Sequence, residues 1–118
     1  MRRITIEEYL EKIHELESAH GSASTGALAE GMNIRPPSVT QMLQKLSEAG
    51  LVEYHPYQGA KLTPEGLARA RELENKHLVL SEFFQLIGVD EPDADRDACK
   101  IEHHVSKETL AKLRSFMH

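Results

Sequence analysis

The chain has few of the residues on which several classes of protein depend. Its 118 residues include one cysteine, no tryptophan, three phenylalanines and three tyrosines. A single cysteine cannot form an internal disulfide, which predicts a reducing, cytoplasmic setting. So few aromatic side chains argue against a large stacking surface for single-stranded nucleic acid. No apolar run approaches the roughly 20 residues of a membrane helix and no signal-peptide pattern opens the chain, so we expect no membrane partner.

Basic residues are also in the minority, with 14 Lys and Arg against 19 Asp and Glu and a formal net charge of -5. Phosphate contacts need Lys and Arg, so the total charge does not by itself indicate a nucleic-acid-binding protein. The acids concentrate near the N-terminus and in residues 90–108, whereas residues 33–62 are close to neutral. The distribution therefore leaves DNA binding by that middle segment open.

Helix signals begin close to the N-terminus. Thr5 is a candidate N-cap, and Glu8 three residues later completes a capping box. Apolar residues at helical spacing follow, and Gly21 is expected to end this helix. A short helix is expected over residues 25–32. The Pro-Pro pair at residues 36–37 suits only the first turn of a third helix, because proline has no N–H to donate.

The next segment, LVEYHPYQGAKLT, predicts two short strands around a turn. Helix, turn, helix and hairpin in this order predict a winged helix-turn-helix. A long helix is expected from Thr63-Pro64 to Ile87, a short one from Asp97 to His104, and a final one capped by Ser106. We therefore expect a mainly α fold with a winged helix-turn-helix DNA-binding domain over residues 1–71 and an all-helical domain over residues 72–118.

The single cysteine lies in the run DACKIEHHVS, residues 97–106. On a helix, Cys99, Glu102 and His103 share one face, because they are three and four residues apart. Thiolate, carboxylate and imidazole are the side-chain ligands that divalent transition metals prefer. This triplet is the most specific metal-like signal in the chain.

Three further residues have both an ordinary interpretation and a metal-binding one. Glu8 is explained by the capping box alone, and Glu11 is three residues further along the same helix face. His77 interrupts the apolar stripe of the long helix, where a histidine is more often a core residue than a ligand. Cys99 is by itself a small hydrophobe. Taken together, these residues on three helices predict a converging metal site.

The whole chain resembles the diphtheria toxin repressor family of metal-dependent transcriptional regulators. TIEEYLEKIHEL is similar to that family's first helix, IRPPSVTQMLQKLSEAGLVEYHPYQGAKLTPEG to its recognition helix and wing, and HLVLSEFFQLIGVD with DACKIEHHVS to its dimerisation domain. The likeness is to the short, two-domain branch of the manganese transport regulators. It implies a homodimeric repressor of metal-uptake genes that binds operator DNA and takes no small-molecule substrate.

The resemblance also implies a paired metal site. Matched by position, the first metal would be held by Glu8, Glu11, His77 and Glu102, and the second by Cys99, Glu102 and His103, with Glu11 and Glu102 able to bridge. Glu8 stands where the manganese branch usually has Asp, and Cys99 where it usually has Glu. Carboxylate oxygens favour Mn²⁺ and the thiolate favours Fe²⁺ or softer ions, so the expected cofactor is Mn²⁺ or Fe²⁺.

The expected DNA contacts lie on the recognition helix and the wing. Gln41 can pair with adenine, Arg35 can reach guanine or phosphate, and Pro37 can pack on a thymine methyl. The remaining candidates are phosphate contacts, and they are Ser38, Thr40, Lys45, Tyr57 and Lys61.

Two other functions fit parts of the sequence. One is a winged-helix regulator that senses no metal, with Cys99 as a redox switch, but this leaves Glu8, Glu11 and His77 unexplained. The other is a di-metal carboxylate enzyme, since Glu11-x-x-His14 and Glu74-x-x-His77 match the Glu-x-x-His motif. That architecture needs four long helices, and residues 21–62 predict short helices and a wing instead.

Overall fold

The computed structural model describes residues 6–118. Contacts divide the chain into a unit that ends at Ala70, called unit 1, and a unit that spans Arg71–His118, called unit 2. None of the described helices is long and apolar enough to cross a bilayer. The elements are α1 (Ile6–His20), α2 (Thr25–Met32), α3 (Pro36–Glu48), β1 (Val52–His55), β2 (Gly59–Leu62), α4 (Pro64–Leu86), α5 (Glu91–Ile101) and α6 (Lys107–Met117). The expected fold class is confirmed, with a two-stranded hairpin after the helix-turn-helix and helices beyond it.

Unit 1 is built around one apolar core. Leu10 and Ile13 of α1 are fully buried with Val39 and Leu43 of α3. Their spacing, by three and by four, places each pair on one helix face. The expected N-cap Thr5 lies outside the described residues. The core fixes the orientation of α3, whose opposite face is exposed.

The turn between α2 and α3 depends on one asparagine. Asn33 has a left-handed conformation with φ of 55°, and its backbone N–H donates to Ala29 and Glu30 carbonyls. Asparagine tolerates this conformation better than most residues, and it satisfies carbonyls that the helix end would leave unpaired. Ser24 begins α2 as a true N-cap, accepting a 3.0 Å hydrogen bond from the Ala27 N–H. The two caps fix where α3 begins.

The wing is an antiparallel hairpin that is tied back to unit 1. Val52 pairs with Leu62, and His55 pairs with Gly59. Ala23 adds a bridge to Ala60, with two backbone hydrogen bonds of 2.9 and 2.8 Å. Gly59 has φ of 90°, and a Cβ there would lie 2.7 Å from the Ala23 carbonyl oxygen. Only glycine therefore allows the hairpin to approach this bridge.

Unit 2 differs from expectation in its middle helix. The sequence predicts a helix from Asp97 to His104, but α5 runs from Glu91 to Ile101. Asp90 occupies the N-cap position and a proline lies in the first turn, which is the same arrangement that begins α3. Glu102 is the C-cap residue, still in a right-handed helical conformation with φ of -57°. His103 and His104 follow in a turn rather than in the helix.

The core of unit 2 is small. Val79 and Leu80 of α4 are buried with Ala98 of α5 and Leu110 of α6. Leu80 is 2% exposed and Leu110 is 7% exposed, so both leucines belong to the core of their own unit. Ile87, the expected last residue of the long helix, lies just beyond the end of α4 and is 65% exposed.

Candidate metal centre and DNA-facing surface

The candidate metal centre of unit 2 is organised around a buried carboxylate. Glu102 is 1% exposed, whereas most glutamates lie at the surface. Ala94, Ala98 and Glu102 are four residues apart, so the buried alanine face of α5 leads directly to this side chain. Burying an ionised carboxylate is costly unless cationic or hydrogen-bonding groups compensate it.

Two imidazoles approach the two oxygens of this carboxylate. His77 Nδ1 lies 3.0 Å from Glu102 Oε2, and His103 Nε2 lies 3.6 Å from Glu102 Oε1. His77 comes from the middle of α4, and His103 from the turn after α5. The structure therefore brings together three of the residues that the sequence predicts as metal ligands.

The His77–Glu102 pair fits a divalent metal. An ion that binds two ligands at about 2.1 Å and at right angles separates them by about 3.0 Å, as in an octahedral site. The observed Nδ1–Oε2 distance is 3.0 Å, which suits an ordinary N–H···O hydrogen bond as well as two ligands of one ion. In the metal-free protein a proton must lie between these two atoms, and a metal ion can replace it. Imidazole nitrogen with carboxylate oxygen suits Mn²⁺, Fe²⁺ and Zn²⁺.

The other predicted ligands are placed as follows. Cys99 has an exposed side chain near the end of α5. In unit 1, Glu8 and Glu11 are half-buried on α1, three residues apart. Tyr9, between them on the same helix, is buried, and this burial raises the pKa of its phenol.

One carboxylate near His77 was missed by the sequence argument. Asp95 Oδ1 lies 3.6 Å from His77 Nε2 and accepts a 2.6 Å hydrogen bond from the Ser81 hydroxyl. Gln85 Nε2 donates in turn to Ser81 Oγ at 3.2 Å. His77, Ser81 and Gln85 are four residues apart along α4, and this polar stripe was a signal available in the sequence.

The predicted DNA-contacting residues of unit 1 lie on its surface. All are exposed except Thr40, which is half-buried. Arg35 is the residue before α3, and its side chain makes no capping hydrogen bond. Tyr57, at the tip of the wing, is fully exposed. The surface therefore combines the first turns of α3 with a hairpin, an arrangement suited to a major groove and its flanking phosphates.

Two protein-family models match the chain, one over most of unit 1 and the other over unit 2. The family model described as "Iron dependent repressor, N-terminal DNA binding domain" matches residues 3–60. The model described as "Iron dependent repressor, metal binding and dimerisation domain" matches residues 63–118. Together these matches cover most of the chain.

Several proteins with similar sequences are described as transcriptional regulators. The chain is 39% identical over 115 residues to an uncharacterized HTH-type transcriptional regulator of Methanocaldococcus jannaschii, covering 96% of this chain and 92% of the relative. It is 38% identical over 115 residues to the transcriptional regulator MntR of Escherichia coli, covering 98% of this chain and 74% of the relative. The MntR of Lysinibacillus sphaericus is 36% identical over 109 residues, covering 92% of this chain and 78% of the relative.

Solved structures share the fold. The manganese regulator SloR is 28% identical with a TM-score of 0.79, covering 98% of this chain and 54% of that chain. The IdeR of T. acidophilum is 25% identical with a TM-score of 0.84, covering 99% of this chain and 55% of that chain. The chain thus spans about half the length of these two structures.

Proposed function

The chain belongs to the family of iron dependent repressors and is a metal-dependent, DNA-binding transcriptional regulator, and we propose that Mn²⁺ or Fe²⁺ bound beside Glu102 promotes its binding to operator DNA as a homodimer. The family consists of transcriptional regulators and not of enzymes, so the Glu-x-x-His motifs do not indicate a di-metal enzyme. The domain division that we propose is DNA binding by residues 1–71 and metal binding and dimerisation by residues 72–118.

The observation that carries this proposal is the buried carboxylate between two imidazoles. Glu102 is 1% exposed and lies within 3.0 Å of His77 and 3.6 Å of His103. The negative charge of Glu102 attracts the two imidazoles. Three potential metal ligands, Glu102, His77 and His103, therefore lie close together in unit 2. A bound metal ion supplies the positive charge that neutralises such a site.

We propose a paired site. One metal is assigned to Glu8, Glu11, His77 and Glu102, and the other to Cys99, Glu102 and His103, with Glu11 and Glu102 bridging. Support for the second set comes from the position of Cys99 three residues before Glu102, since the C-cap residue keeps a helical conformation and both residues remain on one side of α5. Support for the first comes from the family resemblance and from His77.

The choice of metal depends on a mixed donor set. Glu8, Glu11 and Glu102 offer oxygens that suit Mn²⁺, and the thiolate of Cys99 suits Fe²⁺ and softer ions. SloR, a structural relative, is called a manganese regulator. We favour Mn²⁺, followed by Fe²⁺. Zn²⁺ would bind more tightly than either to most such sites, so the metal available in the cell contributes to selection.

Metal binding is proposed to act on DNA binding through geometry and charge. Ligands from both units restrict the motion of one unit against the other when they share an ion. In a dimer this restriction sets the spacing of two recognition helices, which must enter successive major grooves roughly 34 Å apart. Neutralising the clustered acids also removes a repulsion of phosphate. Coupling of this kind is typically about 1–3 kcal/mol.

The first test measures DNA binding in three metal conditions. A fluorescent duplex from the gene's own upstream region is titrated anaerobically with protein in chelator, in Mn²⁺ and in Fe²⁺, and its anisotropy is followed. Tight binding is expected only with metal, at least about fivefold tighter than in chelator, which corresponds to the lower end of the coupling range. Equal binding in chelator would favour the regulator that senses no metal.

Variants of unit 2 test the site itself. Glu102→Gln keeps the shape of the side chain but removes its charge, and we expect the response to both metals to be lost. Asp97→Asn is the matched control, because Asp97 is an exposed acid on α5. If Glu102→Gln and Glu11→Gln respond to metal like the parent, the proposed ligand set is incorrect.

A further inference from the structure

His77 has a carboxylate near each of its two ring nitrogens. Nδ1 lies 3.0 Å from Glu102 Oε2, and Nε2 lies 3.6 Å from Asp95 Oδ1. The two carboxylates differ strongly in environment, since the Glu102 side chain is 2% exposed and that of Asp95 is 52% exposed. Glu102 occupies the interior side of the imidazole, and Asp95 occupies its solvent side.

Asp95 is itself held in place. Its Oδ1 accepts a hydrogen bond of 2.6 Å from the hydroxyl of Ser81, which is one of the buried polar residues of unit 2. The same hydroxyl oxygen accepts from Gln85 Nε2 at 3.2 Å, so the hydroxyl proton is directed at Asp95. Ser81 is one helical turn after His77 on α4, which keeps Asp95 beside the ring.

A metal-bound imidazole imposes a requirement on its second nitrogen. The ring binds an ion through one unprotonated nitrogen, and the proton then resides on the other. Carboxylates that accept this proton orient the ring and increase the basicity of the ligating nitrogen. When a metal ion is bound at Nδ1, beside Glu102, the proton resides on Nε2, and Asp95 Oδ1 lies 3.6 Å from that nitrogen.

We propose that Asp95, fixed by Ser81, is a positioning residue that holds the proton of His77 at Nε2 and so presents Nδ1 to the metal. This inference rests on the proposed function, because it requires His77 to be a metal ligand. Asp95 would then belong to the metal site without being a ligand of the ion. The separation of 3.6 Å lies within ion-pair range and is longer than a hydrogen bond.

The test measures metal binding directly, without DNA. Mn²⁺ affinity is read from the electron paramagnetic resonance signal of free Mn²⁺, which falls as the ion binds. Asp95→Ala is expected to weaken binding by about 10- to 100-fold, the usual effect of removing such a partner. Asp95→Asn keeps an acceptor oxygen and is expected to weaken binding less, by several-fold. Ser81→Ala, which leaves the charge of Asp95 in place, is expected to resemble Asp95→Asn.

A nuclear magnetic resonance measurement separates positioning from mere structural support. In the Zn²⁺-loaded parent, long-range ¹H–¹⁵N correlations of the His77 ring are expected to show Nδ1 bound to metal and Nε2 protonated. If metal is instead bound through Nε2, Asp95 lies on the wrong side of the ring and the inference is overturned. Melting of each variant in chelator shows whether a loss of affinity reflects a loss of folding.

The controls distinguish failure of this inference from failure of the proposed function. Asp97→Asn, an exposed acid two residues from Asp95, is expected to bind Mn²⁺ within twofold of the parent. If Glu102→Gln loses Mn²⁺ but Asp95→Ala binds like the parent, Asp95 has no positioning role and the metal site stands. If Glu102→Gln also binds like the parent, the metal site itself is incorrect. Should Asp95→Ala fail to fold, Asp95→Asn and Ser81→Ala decide the question, and parental affinity in both overturns the proposal.

Discussion

Unit 1 and unit 2 are stabilised in different ways. The core of unit 1 is continuous and apolar, with leucines and other apolar side chains from four helices and both strands. The core of unit 2 is a smaller cluster, and the buried polar residues of the described chain, Ser81 and Glu102, both belong to this unit. The described interior of unit 1 is therefore apolar, whereas unit 2 uses part of its interior for a carboxylate.

This difference matches the tasks of the two units. A DNA-reading surface needs a rigid support, and a tightly packed apolar core under α3 supplies it. A sensor must instead change when its ligand binds, so it benefits from a part whose stability depends on that ligand. The comparison predicts that metal stabilises unit 2 more than unit 1, and that a mutation outside the metal ligands acts mainly on the unit that contains it.

The largest effect is expected from metal on the stability of unit 2. At a free Mn²⁺ concentration of 100 times the dissociation constant, binding stabilises the folded state by about 2.7 kcal/mol. Hydrogen exchange followed by mass spectrometry should show amides of α5 slowing by about 100-fold, with much smaller changes in α3. Glu102→Gln should abolish the slowing. Equal slowing in α3 and α5 would mean that the two units open together, and the comparison would not hold.

Replacing the N-cap serines is expected to reduce stability by less than metal binding increases it, and one N-cap in each unit provides a matched pair of variants. Ser24 caps α2 in unit 1 and Ser106 caps α6 in unit 2, each accepting a backbone hydrogen bond at 3.0 or 3.1 Å. Replacing either with alanine should cost about 1 kcal/mol. In chelator, urea should unfold unit 2 before unit 1, with Ser106→Ala lowering the first transition and Ser24→Ala the second.

The control for this pair is Ser18→Ala, since Ser18 is an exposed residue within α1 and should shift either transition by less than about 0.5 kcal/mol. Circular dichroism reports the total helix content. Tyrosine fluorescence assigns the transition of unit 1, because all three tyrosines, Tyr9, Tyr54 and Tyr57, belong to that unit, and exchange of unit 1 amides provides a second assignment. A single transition lowered by both cap variants would show that the units unfold as one cooperative body.

The sequence predicts the fold best where helix ends carry strong local signals. The prolines at the start of α3 and Ser106 are such signals, and the elements beside them lie where expected. The boundaries of α5 were predicted wrongly because its buried residues are Ala94 and Ala98, which give a weak apolar period. Its first turn carries Glu91 and Asp93, and acids there are favourable at a helix N-terminus although they add nothing to an apolar period.

The metal centre was only partly predictable, for a different reason. Cys99, Glu102 and His103 are near one another in sequence, so local spacing identifies them. Asp95 and His77 lie on different helices, and their approach depends on how closely the alanines of α5 let that helix pack in unit 2. Such tertiary contacts are not visible in the spacing of a single sequence.

The smallest expected change in stability concerns the wing of unit 1. Tyr57 has φ of 68° at the third position of a turn closed by a 3.0 Å hydrogen bond from Gln58 N–H to His55, where glycine is preferred. Its side chain is fully exposed, so no contact in unit 1 offsets a strain of about 1 kcal/mol. Tyr57→Gly relieves this strain but adds backbone entropy to the unfolded chain, so stability should change by less than about 1 kcal/mol.

If Tyr57 contacts DNA, the same variant should weaken operator binding several-fold by the same factor in Mn²⁺ and in Fe²⁺, with Mn²⁺ affinity unchanged. Gln58→Ala, at the neighbouring exposed position, is the matched control and should bind DNA like the parent. Anisotropy titrations at two salt concentrations measure both variants, because a lost phosphate contact also lowers the salt dependence. A Tyr57→Gly protein that binds DNA normally would show that the Tyr57 side chain makes no contact that operator binding needs, and an altered Mn²⁺ affinity would show that this residue of unit 1 influences the metal site.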